Sequence, residues 1–452
     1  MVSGDVGCAE MVKGSHLVTN IKRSSIDNLV ETGRQRRFQL RNYTPMTTAD
    51  TSSVPAASAS VPRGAIILAG SHGAIALARV LARQKLDVWF LTNHTPLPRF
   101  SRAVAHWRNW SGPEKPGAVG QLEDIVRREK LEGYLLIPAA DADVKFVAQA
   151  HARLSRFLNV LLPDWSSLQW AGDKAQTYRR AAELGLAFPE VYPVRSAADA
   201  AAMPMRFPVA LKPSMRIAVN RFTRDKVWRA DNREDFVRLY AEAVSLVGPD
   251  CVVVQELVPG DGECQLSYAG LWWQGRPVSS FTAQRTRQYP IDFSYTSTFV
   301  ETIESEDVRQ AAETFLSSIG HHGLCEIEFK RDPRNGALKI LDVNPRPWSW
   351  FGLADAAGID FGAAIVALAG GHKPAPMRAR AGVGWMFGQR DPVAAFQLAL
   401  AGRLDVGRWL ASLARTRTFA SLSLGDPLPS LVELPLTIAR VLARNFGRSR
   451  ND

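Results

Sequence analysis

Along much of the chain, short apolar runs alternate with segments whose apolar positions recur every three or four residues. From Ala65 the run A-I-I-L-A-G is followed by S-H-G and then by A-I-A-L-A-R-V-L-A-R-Q, a strand, a loop and an amphipathic helix. D-V-W-F-L-T from Asp87 reads as a second strand. Y-L-L-I-P from Tyr134 reads as a third and leads into the helical run A-D-V-K-F-V-A-Q-A-H. This alternation predicts a parallel α/β layer over residues 63–162. Gly70 and Gly73 lack the third glycine of a dinucleotide fingerprint, and no acidic residue closes the second strand. The glycines therefore point to a structural α/β layer rather than to a nicotinamide site.

Further on the pattern changes. Residues 164–186 read as helical, with a break at Phe188-Pro189. P-V-A-L-K-P, V-V-V-Q-E-L-V-P-G, Q-L-S-Y-A-G-L-W-W and P-V-S-S-F-T-A-Q-R-T-R read as strands, with helices near 233–247 and 307–319. Strand runs with inserted helices predict an α+β region over 163–372. Residues 373–452 read as a helical, Arg-rich extension. Its last amphipathic segment, 428–446, either packs on the body of the protein or touches a membrane surface. Residues 1–62 are polar and rich in Ser, Thr and Arg, the composition of a disordered extension, and Met46 is a second candidate start.

The stretch from Cys325 to Trp350, C-E-I-E-F-K-R-D-P-R-N-G-A-L-K-I-L-D-V-N-P-R-P-W-S-W, carries the chemistry. It reads as two short strands and a turn. Alternation puts Glu326 and Glu328 opposite Ile327 and Phe329, and groups Ile340, Asp342 and Asn344 against Leu341 and Val343. Carboxylates among apolar neighbours are costly to bury without a partner. Oxygen ligands without His or Cys favour Mg²⁺ or Mn²⁺ over zinc. A two-residue Asn335-Gly336 turn pairs Glu328 with Val343 and separates the ligands. A three-residue loop from Arg334 to Gly336 pairs Glu328 with Asp342, and this odd-length loop is the expectation. A surface hairpin with its acids in water is the alternative.

At 452 residues the chain holds two or three domains with sizeable cores. The formal charge of +11 and pI near 9.7 suit anionic partners such as nucleotide phosphates. No nucleic-acid-binding motif is present, and none is expected to bind. Cys8, Cys251, Cys264 and Cys325 form no C-x-x-C pair and read as reduced, buried thiols of a cytoplasmic protein. No apolar run approaches the roughly 18 residues needed to span a bilayer, and the first 60 residues lack an apolar signal core.

Lys212 ends the apolar strand V-A-L-K-P, and Lys174 opens a helix in A-G-D-K-A. Both suit phosphate contact, and for each a plain solvated lysine is the alternative reading. V-V-V-Q-E-L-V-P-G looks like a core strand bending into a linker, with Glu263 seven residues after Glu256. Together these motifs resemble the ATP-grasp superfamily, over about residues 64–372, most specifically in E-I-E-F-K-R-D-P-R-N-G-A-L-K-I-L-D-V-N-P-R-P. The resemblance implies a Rossmann-like domain preceding the ATP-grasp domain, and a carboxylate–amine ligase branch. It implies that Glu328, Asp342 and Asn344 hold two Mg²⁺ ions, and that Arg346 contacts the γ-phosphate or acylphosphate. Lys174 and Lys212 would bind ATP phosphates. Gln255, Glu256 and Leu257 would form the adenine hinge, and Glu263 would bind ribose. Arg285 and Arg287, on a strand beside the site, would bind carboxylate or acylphosphate, and one of them would stabilise the tetrahedral oxyanion. Tyr289 and Tyr295 shape an acceptor pocket or simply pack. His321-His322 reads as a feature of a helix C-terminus.

One departure stands out. The superfamily carries a Gly/Ser-rich loop after the second lysine, whereas this chain reads K-P-S-M-R-I-A-V-N-R-F-T-R-D-K. Arg221, Arg224 or Lys226 would supply the charge instead. The implied activity is attack of a substrate carboxylate on MgATP, then capture of the acylphosphate by an amine or a thiol. A non-catalytic MgATP-binding accessory protein and a peripheral membrane protein are the competing readings, and a homodimer is compatible with all three.

Overall fold

The computed structural model describes residues 61–93, 96–213, 220–225, 227–291 and 296–448; the side chains of Arg224 and of residues 440–448 lie outside the description. The readings for residues 1–60, Tyr295, Lys226 and the side chain of Arg224 fall outside it, as do residues 214–219 of the segment after Lys212. Two compact units are present. The described part of one is Lys174–Glu183 and Glu190–Leu257; the other is Ala57–Asp173, Leu184–Pro189 and Val258–Asp452.

The larger unit begins with β1 (Gly64–Leu68), β2 (Asp87–Thr92), β3 (His106–Asn109), β4 (Leu135–Pro138) and β5 (Asn159–Val160), in the order β3-β2-β1-β4-β5, all parallel. β1 is buried at all five positions, as a strand covered on both faces must be. β3, H-W-R-N, is exposed at every position. An edge strand of that composition carries no apolar signal, so periodicity does not reveal it. Gly73 lies in the helix His72–Arg83, where a Cβ would come within 2.5 Å of the Trp348 carbonyl oxygen. That glycine is there for packing: it lets the helix press on the chain just beyond the acidic hairpin.

The smaller unit is a four-stranded antiparallel sheet of β6 (Val191–Tyr192), β7 (Val209–Pro213), β8 (Trp228–Ala230) and β9 (Val252–Glu256), in the order β6-β9-β7-β8. The helix Arg233–Val247 covers it through Phe236, Leu239, Tyr240 and Ala243. Asn232 caps that helix by accepting the Asp235 N–H at 2.9 Å. The single helix expected over 164–186 is two, Trp165–Gly172 and Lys174–Glu183, because Asp173 is extended (φ −116°, ψ 118°).

The larger unit continues with β10 (Gln265–Trp273), β11 (Arg276–Tyr289), β12 (Thr296–Ile303), β13 (Gly323–Arg331), β14 (Leu338–Asn344), β15 (Gly384–Met386) and β16 (Thr416–Phe419). These form a seven-stranded sheet ordered β14-β13-β10-β11-β12-β15-β16. Ala269, Leu271, Phe281, Ala283 and Val300 of this sheet share one core with Ala65, Ile67 and Leu77 of the parallel layer and with Trp348, Trp350, Phe351, Phe361 and Trp385. The extension beyond residue 372 is mainly helical, with Asp391–Leu400, Val406–Arg415 and Leu428–Arg448, but it also supplies β15 and β16. Three buried acids tie it down. Asp391 takes a bidentate bond from Arg287 (2.9 and 3.0 Å). Asp426 accepts from Ser101 Oγ (2.5 Å), Arg102 N (3.0 Å) and Arg79 Nε (2.9 Å). Glu433 meets His72 Nε2 and Ser421 Oγ, each at 2.6 Å. No helix among the described residues is long and apolar enough to cross a membrane.

Candidate active site

The acidic hairpin is β13 and β14. Glu328 pairs with Asp342 and Glu326 with Asn344, so all four side chains share one face. The pairing is the expected one, but the loop is not. The turn covers the six residues between Arg331 and Leu338, which are themselves paired, and a bulge between the Glu328 and Phe329 pairs restores the register. Asp332 organises this turn. Its carbonyl accepts the N–H of Gly336 (2.8 Å), and its carboxylate accepts from Arg334 N (3.0 Å) and pairs with Lys339 Nζ (3.1 Å). Gly336 adopts φ +72°. The bulge also corrects the facing of Ile340. It sits opposite Phe329, on the side of Ile327 and Val343, and all four are buried. The Ile340 N–H is donated to the Ala187 carbonyl at 2.8 Å.

Neighbouring strands extend this face. Ser267 pairs with Glu328 on one side and Ala283 on the other, which places Ala283 and, two residues on, Arg285 on the acidic face. Glu326 is buried. Its Oε1 accepts from Ser267 Oγ (2.8 Å) and its Oε2 from Asn344 Nδ2 (2.8 Å). Burial, then the like charge of Glu328, pushes its carboxyl up to about 7. Arg285, buried, sets Nη1 2.6 Å from Glu328 Oε2 and 3.8 Å from Glu326 Oε1, and its Nε donates to Ser297 Oγ at 2.7 Å. Arg346 follows β14. It donates to Asn344 Oδ1 (3.1 Å) and to Asp141, the first residue of the helix Asp141–Gln149.

Sequence reasoning placed Glu326 on this face without counting it as a ligand, although its spacing from Glu328 was signal enough. Ser267 and Asp141 were missed, because nothing local marks them. Among the described residues no three His, Cys, Asp or Glu side chains group to hold a metal. What is present is an oxygen-rich face, with three carboxylates and one amide, balanced by two guanidinium groups. Oxygen donors of this kind are those a hard divalent cation takes, but the three carboxylates do not gather around one point, and Glu328 is held by Arg285.

Other candidates lie elsewhere. Arg287 does not join the acidic face. Its guanidinium is taken up by Asp391 and stacks 4.6 Å from the Phe299 ring centre. The guanidinium expected to meet substrate is thus engaged by a buried carboxylate of the C-terminal extension. Glu263, in the turn Gly262–Cys264, bonds Arg408 through its carboxylate. Tyr289 packs beside Arg390, 5.8 Å from its ring centre. His321 is fully buried, with neither ring nitrogen hydrogen-bonded. Burial holds its pKa down near 3, so the ring is neutral. Cys325 is buried, whereas Cys251 and Cys264 are only half-buried, and all three are free thiols.

In the smaller unit, Lys174 opens its helix and Lys212 lies on β7 opposite Val253; both are half-buried. Gln255 is buried and accepts from Tyr178 Oη at 3.3 Å. Glu256 accepts the Glu190 N–H at 3.2 Å and returns its own to the Glu190 carbonyl at 2.8 Å. The Leu257 N–H is donated to the Pro208 carbonyl at 3.3 Å, so that donor serves the sheet.

Comparison with solved structures identifies the architecture. The biotin carboxylase domain of 2-oxoglutarate carboxylase from Hydrogenobacter thermophilus, in complex with MgADP, ADP and bicarbonate, aligns with a TM-score of 0.56 at 14% identity, over 72% of this chain and 74% of that one. N5-carboxyaminoimidazole synthetase from Staphylococcus aureus aligns with a TM-score of 0.54 at 14% identity, over 70% and 80% of the two chains. The chain has the ATP-grasp fold. Among curated proteins it is similar to the D-aspartate ligase of Enterococcus faecium (strain Aus0004), 24% identical over 228 residues, 48% of this chain and 54% of that protein. It thus spans about half the length of the curated relative it matches. No family model matches the chain.

Proposed function

We propose that the chain is an ATP-dependent carboxylate–amine ligase. A substrate carboxylate oxygen would bond to the γ-phosphorus of ATP as the bridge to the β-phosphate breaks, releasing ADP. An amine nitrogen would then attack the acyl carbon and lose a proton as phosphate leaves, giving an amide. The observation that carries this reading is the single face holding Glu326, Glu328, Asp342 and Asn344 with Arg285 and Arg346, in a chain with the ATP-grasp fold. Glu328, Asp342 and Asn344, joined by Glu326, would hold Mg²⁺ or Mn²⁺. When bound, the metal neutralises charge on the transferred phosphoryl group.

Arg346 would contact the γ-phosphate or acylphosphate. Arg285 would stabilise the oxyanion, since a planar guanidinium matches a carboxylate bidentately. Lys174 and Lys212 would bind phosphates, and Gln255, Glu256 and Leu257 would surround the adenine. Glu263 would reach ribose on exchanging its Arg408 partner. On this reading residues 63–162 precede the ATP-grasp domain of 163–372, and 373–452 complete its sheet. The similarity to a D-aspartate ligase supports an amino acid as one of the two substrates. Free thiols at Cys251, Cys264 and Cys325 support a cytoplasmic setting.

The test is ADP release by the full chain with MgATP and pairs of amino acids. Release should require both members of a productive pair. Glu328→Ala and Asp342→Ala should each lower it on the order of a thousandfold, equivalent to about 4 kcal/mol of barrier, with unchanged circular dichroism. Wild-type rates in both variants, or tight magnesium-dependent ATP binding with no turnover for any pair, would overturn the proposal. Lys212→Ala should weaken ATP binding in calorimetry.

A further inference from the structure

Arg285 and Arg287 stand two residues apart on β11, where strict alternation would put them on one face. They go to different partners. Between the pairs Gln284–Glu301 and Arg287–Phe299, β11 carries one residue more than β12. A bulge of this kind re-aims the side chains around it. Arg287 leaves for Asp391, and Arg285 stays with the acidic face. There it is fixed. Its guanidinium is buried, and its Nε donates at 2.7 Å to Ser297 Oγ, of a residue that is itself buried. Its backbone is held as well. A Cβ on Gly262 would come within 2.3 Å of the Thr286 carbonyl oxygen and 2.9 Å of the Arg285 carbonyl oxygen, so the turn Gly262–Cys264 presses on this part of β11.

A positive group held this way does what a metal ion does for carboxylates. Arg285 Nη1 is 2.6 Å from Glu328 Oε2 and 3.8 Å from Glu326 Oε1, so one guanidinium serves both glutamates. In a site of two ions the metals lie roughly 3.5–4 Å apart and share ligands. Magnesium bonds oxygen at about 2.1 Å, so an ion on Glu328 Oε2 would sit less than about 5 Å from Nη1. One ion beside Arg285 therefore already has the spacing of two cations. Another would meet like charge from a group that its hydrogen bond to Ser297 keeps from swinging into water. The balance of charge agrees. Glu326, Glu328 and Asp342 stand against Arg285 and Arg346, and Asp141 on Arg346 adds a fourth acid. That leaves at most two negative charges, which one divalent ion neutralises.

We propose that Arg285 is a built-in cation of this site and replaces one of the two divalent ions expected from the sequence, so that the chain binds its nucleotide with a single Mg²⁺ or Mn²⁺. Asp342 and Asn344 remain to hold that ion. This inference rests on the ligase reading and deepens it.

The test counts ions. The full chain is saturated with the β,γ-imido analogue of ATP and titrated with Mn²⁺, and free Mn²⁺ is read by electron paramagnetic resonance. The wild type should take up one Mn²⁺ per chain, with no signal from a coupled pair of ions. Arg285→Gln removes the charge and should take up two, with the coupled signal appearing. Arg285→Lys restores a positive charge and should return the count to one. Two ions in the wild type, or a single ion in a folded Arg285→Gln, would overturn the proposal. The wild-type count decides by itself if Arg285→Gln does not fold. A chain that binds none of the analogue overturns the ligase reading together with this inference, whereas a wild-type count of two overturns this inference alone.

Discussion

Asp143 shows how burial, more than any other cause, sets a residue's behaviour. It lies in the first turn of the helix Asp141–Gln149, 1% exposed, and its Oδ1 has no hydrogen-bond partner. Burial raises its pKa to about 7. Between its ordinary value near 4 and that raised value the folded chain binds the proton more than the unfolded chain does, so its contribution to stability falls as pH rises. Asp143→Asn should remove this slope. The variant should melt close to wild type at pH 4 and higher at pH 8, by on the order of a few kcal/mol, and a calorimetric pH series measures the gap. Residue-level legibility followed sequence distance. The alternation E-x-E against D-x-N was readable because strand geometry fixes which side chains share a face. Arg287 was not. Its partner Asp391 is 104 residues away, and nothing near Arg287 tells a substrate-binding guanidinium from an anchoring one.

Among elements, the hairpin joins success and failure in one place. Pairing of Glu328 with Asp342 followed from the need to put ligands on one face, but the six-residue turn and the bulge did not. Turn residues report local preference, whereas the bulge answers to Ala187, which takes the Ile340 N–H. Asp332 is the turn's fixed point and is fully buried. Hydrogen bonding from Arg334 is the leading cause of its lowered pKa. Asp332→Ala should cost about 2 kcal/mol by removing the carboxylate that accepts the Arg334 amide and pairs with Lys339. Urea unfolding measures the loss, and an unchanged midpoint would remove Asp332 from this role. The alternating strands and helices of the parallel layer and the helix Arg233–Val247 were legible because apolar period and caps agreed. The edge strand β3, polar throughout, was not.

For the whole molecule, the reading of residues 373–452 as a helical extension understated how it is built in. It contributes β15 and β16 to the large sheet and sends Asp391, Asp426 and Glu433 into the body. Arg287→Met should destabilise the chain by about 3–5 kcal/mol, because Asp391 is left buried without its counter-charge. The double variant Arg287→Met with Asp391→Leu should recover much of that loss, as denaturant midpoints would show.

The position of β15 in the sheet also bears on synthesis. It covers the edge of β12, yet the two strands are separated by the whole acidic hairpin and the helices that follow it. A nascent chain that has already made β10 to β12 therefore waits, with an unpaired row of amides and carbonyls, until residues 384–386 leave the ribosome. Any product terminated before that point carries the open edge permanently and is a template for strand-to-strand aggregation.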